Sequence, residues 1–327
     1  MRAIVITRPG GPEVLELRDV PTPMPARGEA RVRVRATAVN RADLLQRMGS
    51  YPAPPDVPRD IPGLELAGEI DALGEGVTGL AVGDRVFGLV GGGAYAEHVV
   101  THARTLVKMP DTLSFVEGAA IPEAFVTAYD AMVCQGRLAA GESVLIHAAG
   151  SGVGTAAVQI ARAIGAFSIG TARTAHKLDR ARPLGLTEAI TVENGSFAAK
   201  VNEASGGRGV DVVLELVGGS YLTEDLMCMA PRGRLILVGT MAGNRVDLDL
   251  SLVMRKRIEL RGTMLRSRPL EEKIAAATVL ARNLAPLFAT RALEPIVDRV
   301  LPLARAADAH AYVASNDGFG KVVLEID

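Results

Sequence analysis

Between residues 30 and 38 the chain reads ARVRVRATA, with valine and arginine alternating at a period of two. This spacing puts the valines on one face of an extended segment and the arginines on the other, and predicts a strand with one buried and one wet face. Short apolar runs at 64–70, 85–90 and 97–100, each bounded by Gly, Pro or Asp, continue the pattern and predict a compact all-β module reaching to about Glu123. Five prolines in YPAPPDVPRDIP (51–62) predict a helix-free loop with a stiffened backbone, of the kind that borders binding sites. Beyond Glu123 strand and helix alternate. Strand-like runs occur at 143–149, 167–172, 210–217, 234–239 and 259–263, with helical patterns at 154–165 and 175–183 between them. Such alternation predicts a parallel sheet covered by helices on both faces. The remainder predicts a helix over 270–287, a strand near 296–300, a helix over 304–314 and a last strand over 321–326. No period of 20–50 residues repeats, which argues against a solenoid.

Composition narrows the function classes. At 327 residues, 48% hydrophobic and 22% charged, the chain has the profile of a globular protein of two domains. A net charge of -1 argues against nucleic acid or an anionic membrane as a partner chosen by bulk electrostatics. Cys134 and Cys228 are too few for a disulfide framework or a four-thiolate zinc lobe; both are expected to be buried, and they suit a reducing, cytoplasmic compartment. The opening MRAIVITRPGG is too short in apolar residues for the core of a signal peptide. Residues 143–161 contain no Asp, Glu, Lys or Arg, a length that could span a bilayer. His147 and the glycines Gly150, Gly152 and Gly154 instead favour a buried strand, a tight turn and a buried helix.

That turn, within GESVLIHAAGSGVGTAAVQIAR, carries the chemistry. Gly150, Ser151, Gly152, Val153 and Gly154 join an apolar strand to an apolar helix. Glycines there permit positive φ and close approach of a ligand, and the helix presents unpaired amides and its positive dipole end, a place that fits a pyrophosphate. The position between strand and helix is the context that supports a dinucleotide fold. Ser151 is a poor hydrolase nucleophile, because Ala149 and Val153 flank it where glycines are required. An NAD binder places an acid about 20 residues beyond the glycines, on the ribose hydroxyls. Residues 168–174 (SIGTART) hold none; Arg173, with Lys177 one turn on, suits a 2′-phosphate and favours NADPH.

The order of β module, nucleotide domain and return resembles the medium-chain dehydrogenase/reductase superfamily. The glycine turn is similar to that of its zinc-independent quinone oxidoreductases, over the full chain. NRADLLQRMGSYPAPP (40–55), AAIPEAFVTAYDAM (119–132), GGSY (218–221), MLRSR (264–268) and GKVVLE (320–325) together resemble the p53-inducible quinone oxidoreductase subgroup. The resemblance implies a Rossmann-like, doubly wound parallel sheet domain (124–264) inserted in a GroES-like β-rich catalytic domain (1–123 and 265–327). It implies an acceptor pocket between the domains lined by Asn40, Asp43, Gln46 and Tyr51, with Tyr51 either a proton donor or a pocket wall. For the cofactor it implies, besides the glycine turn, Thr127, Gly218, Gly219, Val238, Gly239, Thr240, Met264, Leu265, Arg266, Gly320 and Lys321. Relatives carry a Tyr beside the 2′-phosphate near Val192, which Thr191 and Val192 do not replace.

Zinc alcohol dehydrogenases of the superfamily need Cys and His ligands that this chain lacks: Gly63, Leu64 and Glu65 stand at the Gly-His-Glu position, and Val39, Asn40 and Arg41 at the early Cys. The five histidines His98, His102, His147, His176 and His310 form no ligand spacing, so no metal is expected. The expected reaction is NADPH-dependent hydride transfer to a quinone or conjugated carbonyl. An enoyl thioester reductase on the same fold, or a cofactor-binding protein with little turnover, are the alternatives. The run IELRGTM (258–264) is expected to be the sheet's edge strand and to pair two copies into a homodimer.

Overall fold

The valine–arginine run forms the longest strand of the computed structural model, which describes all of residues 1–327. By internal contacts the chain divides into two units, Met1–Val126 with Leu265–Asp327, and Thr127–Met264. In the first unit β1 (Arg2–Ile6) and β2 (Leu15–Asp19) make an antiparallel hairpin. They are followed by β3 (Glu29–Val39), β4 (Glu65–Leu73), β5 (Arg85–Leu89), β6 (His98–His102) and β7 (Leu106–Lys108). Val32 and Val34 of β3 are buried, while Arg31 and Arg35 on its other face meet Asp71 and Glu69 of β4, as the period of two requires.

The second unit contains β8 (Ser143–Ile146), β9 (Phe167–Ala172), β10 (Glu188–Thr191), β11 (Val210–Glu215), β12 (Met229–Leu237) and β13 (Glu259–Gly262). They form one parallel sheet in the order β10-β9-β8-β11-β12-β13. This is the doubly wound, Rossmann-like order, and its direction reverses between β8 and β11, where such sheets bind ligands beyond their carboxyl ends. The chain then returns to the first unit with β14 (Val297–Pro302) and β15 (Lys321–Glu325). They complete a sheet ordered β14-β15-β3-β4-β5-β7, with β6 also paired to β3.

Several expectations need correction. The first module is not all-β: helices occupy Arg41–Arg47 and Phe115–Ala119, and a third, Pro122–Tyr129, follows. The first two start at capping boxes, Asn40 with Asp43 and Ser114 with Glu117, in which the side chains of N-cap and third helical residue satisfy each other's backbone N–H. The helix expected over 270–287 is present and reaches Ala289, but it is not uniformly α-helical. It runs Leu270–Val279, loosens into a π-helical turn at Leu280–Leu284, and resumes as Ala285–Ala289 around Pro286, which has no N–H to donate. The charge-free run splits into β8 and the helix Gly152–Ile164, and no helix is long and apolar enough to cross a membrane. Cys228 is buried, but Cys134 is exposed, in the π-helical stretch Asp130–Gln135.

In the first unit Phe288 packs edge-to-face on Phe125 with ring centroids 4.7 Å apart, and both are fully enclosed. Phe288→Ala should lower the unfolding free energy by about 3–5 kcal/mol, whereas Ser114→Ala, which removes only a cap, should cost about 1 kcal/mol. Denaturant unfolding of the two variants measures both.

Candidate dinucleotide and acceptor sites

At the end of β8 the chain turns sharply into the helix Gly152–Ile164. The left-handed residue of this turn is Ala148 (φ 48°), whereas Gly150, Gly152 and Gly154 all keep negative φ, contrary to the expectation that the glycines supply positive φ. Their use is close approach. A Cβ on Gly154 would lie 2.3 Å from the Ala148 carbonyl oxygen, so only glycine lets the first helical turn rest on the strand end. Ser151 is the N-cap, its Oγ accepting from the Gly154 N–H at 3.0 Å. The amides of Gly152 and Val153 have no acceptor within the chain, and with the helix dipole they form an anion-binding end. Arg173 is exposed just past β9, and the half-buried Lys177 lies on the following helix, Ala175–Ala181.

Across the switch point, Gly218 and Gly219 turn the chain out of β11 with φ of 73° and 58°. A Cβ on Gly218 would come within 2.7 Å of Thr240 Cα, and one on Gly219 within 2.6 Å of the Ala242 oxygen. The turn is therefore pressed against the loop after β12, and Val238, Gly239 and Thr240 lie at the base and start of that loop. Glu215, the last residue of β11, accepts the Val217 and Gly218 N–H groups on Oε1, the latter at 2.8 Å. Thr127 is buried and Met264 exposed in this unit.

In the first unit a second cluster forms around Glu65. Its Oε1 accepts from Lys321 Nζ at 2.7 Å and from Asn40 Nδ2 at 2.8 Å, and its Oε2 from the Glu123 N–H at 2.7 Å. Lys321 also donates to Asn40 Oδ1 at 2.6 Å and reaches the Val39 carbonyl, so its ammonium is spent inside this unit. Gly320 places it there: φ is 97°, and a Cβ would lie 2.3 Å from the Ile296 oxygen. Asp43, fully buried, accepts from the N–H groups of Asn40 and Gly63 and faces the Tyr95 hydroxyl. Burial pushes it up to about 6 despite those donors. Nearby, Arg41 bonds Asn316, and Arg47 bonds the Gly10 carbonyl and faces His310.

Arg266 organises the proline-rich loop. Its guanidinium donates to Gly91 O at 2.7 Å, to Gln46 Oε1 at 2.6 Å and to Tyr51 O at 3.4 Å, and lies 5.3 Å from the Tyr51 ring centroid. Gln46 in turn donates to Arg59 O. Tyr51 is half-buried, and burial raises its phenol further above an already weak acidity. Of the expected acceptor residues, Asn40, Asp43 and Gln46 are thus tied up in this unit's own bonds, and Arg266 and Lys321, expected at the cofactor, join them there. Glu65, Glu123 and Tyr95 escaped the sequence reading as site groups. Burial, followed by the Glu65 charge, pushes Glu123 up to about 8. An acid directly after the helix-starting Pro122 was the available signal. His147, Glu215 and Asp225 in the second unit escaped likewise, although Glu215 sits where a strand ends before two glycines.

Two family models match the chain, an alcohol dehydrogenase GroES-like domain over residues 26–111 and a zinc-binding dehydrogenase over residues 152–281. The quinone oxidoreductase of Lama guanicoe is 37% identical, and that of Homo sapiens 34%, each over 99% of this chain and 97% of its own length. A pikromycin polyketide synthase component of Streptomyces venezuelae is 37% identical over 97% of this chain but only 8% of its own length. Among solved structures, Escherichia coli quinone oxidoreductase complexed with NADPH has a TM-score of 0.90 at 29% identity, covering 99% of this chain and 100% of that one.

The buried Glu65–Lys321 pair generates a double-mutant prediction. Lys321→Met leaves a buried carboxylate without its cation and should destabilise the protein by about 3–5 kcal/mol. Adding Glu65→Gln should recover most of that loss, as read from denaturant unfolding of the two single variants and the double variant.

Proposed function

Because the chain belongs to the quinone oxidoreductase family of the medium-chain dehydrogenase/reductase superfamily, and is therefore an oxidoreductase, we propose that it reduces quinones or related conjugated carbonyls with NADPH, without zinc. The observation that carries this reading is the N-terminus of Gly152–Ile164, with two acceptor-free amides, a glycine whose Cβ would collide with the strand end, and Arg173 exposed beyond the neighbouring strand. Bound there, NADPH would supply the hydride. The chain's part is to hold it. The Gly152 and Val153 amides suit the pyrophosphate, Arg173 and Lys177 the 2′-phosphate, and the turn at Gly218–Gly219 with Val238–Thr240 the nicotinamide half.

Acceptor binding is assigned to the first unit, where Arg266 braces Tyr51 and its loop. A phenol made less acidic by burial suits a pocket wall better than a proton donor, and a reduced quinone can take its proton from water. The donor set does not suit zinc. Leu64 offers no ligand atom, and Glu65, which could offer one, is already neutralised by the tethered Lys321 ammonium at 2.7 Å. Enoyl thioester reduction is the second reading, favoured by the likeness to a segment of a polyketide synthase component. A reducing, cytoplasmic setting suits the exposed Cys134 thiol. A homodimer is supported by β13, which pairs only with β12 and leaves Leu260 exposed, and by Leu250 and Met254 exposed on the preceding helix.

NADPH consumption with a quinone panel, an alkenal and crotonyl-CoA tests the activity. Oxidation with quinones is expected, and silence with every acceptor despite NADPH binding would leave a cofactor-binding protein with little turnover. Arg173→Ala with Lys177→Ala should raise the KM for NADPH by about 10–100-fold and leave that for NADH nearly unchanged. Tyr51→Phe should retain quinone turnover. Gel filtration at micromolar concentration should show a dimer, and Leu260→Arg should convert it to monomer.

A further inference from the structure

Beneath the Gly218–Gly219 turn lies a group of side chains that the proposed reaction does not use. His147 follows β8, Glu215 ends β11 and Asp225 lies on the helix Tyr221–Cys228; all three are fully enclosed. His147 Nε2 is 2.8 Å from Asp225 Oδ1 and 3.6 Å from Glu215 Oε2, and Nδ1 is 2.7 Å from the Thr171 hydroxyl. Burial holds the imidazole neutral, so Nε2–H donates to Asp225 while the Thr171 hydroxyl donates to Nδ1. Glu215 spends Oε1 on the Val217 and Gly218 amides. Its Oε2, and Oδ2 of Asp225, then remain buried with no donor. Two carboxylates enclosed with a single side-chain N–H between them would be two uncompensated charges in the interior, which folded proteins avoid by keeping a proton.

We propose that Glu215 and Asp225 share one proton, and that this proton keeps the Gly218–Gly219 turn in its cofactor-binding form, making NADPH affinity fall when it is lost. The step from proton to cofactor is mechanical. Once both groups are ionised, repulsion from Asp225 acts on Glu215, and rotation of its carboxylate away from Asp225 releases the two amides that fix the turn. That turn is packed without clearance on the loop after β12. This inference rests on the dinucleotide reading of the unit.

The surroundings leave the pair as the responding group. Burial raises Glu215 to about 8 and Asp225 to about 7, so the pair holds its proton at neutral pH and gives it up as pH rises through about 8. From the same helix Tyr221 and Cys228 face the cluster, and burial pushes both upward, beyond this range. Glu224 spends Oε2 on the Phe197 and Ala198 amides, and the Phe197 and Tyr221 rings cover His147. Arg173 acts on Tyr221 from beyond β9, and Lys256 acts on Cys228 while its ammonium donates to three carbonyls.

The test is NADPH binding by the full chain, followed by nicotinamide fluorescence between pH 7 and 9.5, where the 2′-phosphate, with a second pKa of about 6, is already about 90% ionised at the lower limit. The dissociation constant should be level near pH 7 and about tenfold weaker by pH 9, one proton being linked to binding. Asp225→Asn, whose amide donates to Glu215 at every pH, should flatten the profile. An infrared difference spectrum of wild type against Glu215→Gln should show a protonated carboxyl band at pH 7 that is gone by pH 9.5, and it decides the matter if Asp225→Asn does not fold. A level wild-type profile, an absent band, or one metal ion per chain bound by these three residues overturns the proposal. Failure to bind NADPH at any pH overturns the dinucleotide reading instead, and the infrared band still reports the shared proton.

Discussion

The contact on which the nucleotide unit depends is the seat of the helix Gly152–Ile164 on the end of β8. Because Gly154 has no Cβ, the helix starts against the Ala148 carbonyl and its free amides stand at the switch point of the sheet. Ser151 satisfies the third amide of the turn, which orders the helix start without consuming the two donors that a phosphate needs. Ala148 takes the left-handed backbone position, so the glycines are released from that duty and serve closeness alone. A larger residue at position 154 would shift the dipole end, the Ala148 turn and the exit of β8 together.

The first unit solves a different problem. Four side chains that could serve as ligands or acids, Asn40, Asp43, Glu65 and Lys321, are held in one hydrogen-bonded network in which the Lys321 ammonium pairs with the Glu65 carboxylate. The ammonium of Lys321 neutralises Glu65 and arrives from β15, the strand by which the chain returns after the second unit. The network therefore exists only when the discontinuous unit has been assembled from both of its segments. This ties the Glu65 cluster to completion of the fold, in a way no local stretch of chain could.

Much of this was legible from periodicity. The alternation in β3, the strand–helix alternation after Glu123 and the strand–glycine–helix context of residues 143–164 all report local geometry, and local geometry is what side-chain spacing encodes. The short helices at Arg41–Arg47 and Phe115–Ala119 escaped because they span only one to two turns, too few for a hydrophobic period, although their capping pairs Asn40–Asp43 and Ser114–Glu117 are written three residues apart. Lys321 and Arg266 illustrate the harder failure. Their partners lie 256 and 220 positions away, at Glu65 and Gln46, and a motif marks such residues as important without saying toward what they point. The exposure of Cys134 has the same origin, since an apolar neighbourhood in sequence does not specify which face of a π-helical stretch meets solvent.

The two units bury carboxylates by opposite means. Glu65 is paired with a cation carried on another strand, at 2.7 Å. The pair Glu215 and Asp225 has only a neutral histidine beside it, so the charge is removed by a proton, and a proton can leave. The difference follows from position. Glu65 opens β4, and the long side chain of Lys321, the first residue of β15, reaches it across β3. Glu215 lies at the carboxyl end of β11, where, on the dinucleotide reading proposed above, a lysine ammonium would compete with the helix amides for the phosphate. A shared proton compensates the pair beneath the turn without adding a side chain to the space above it.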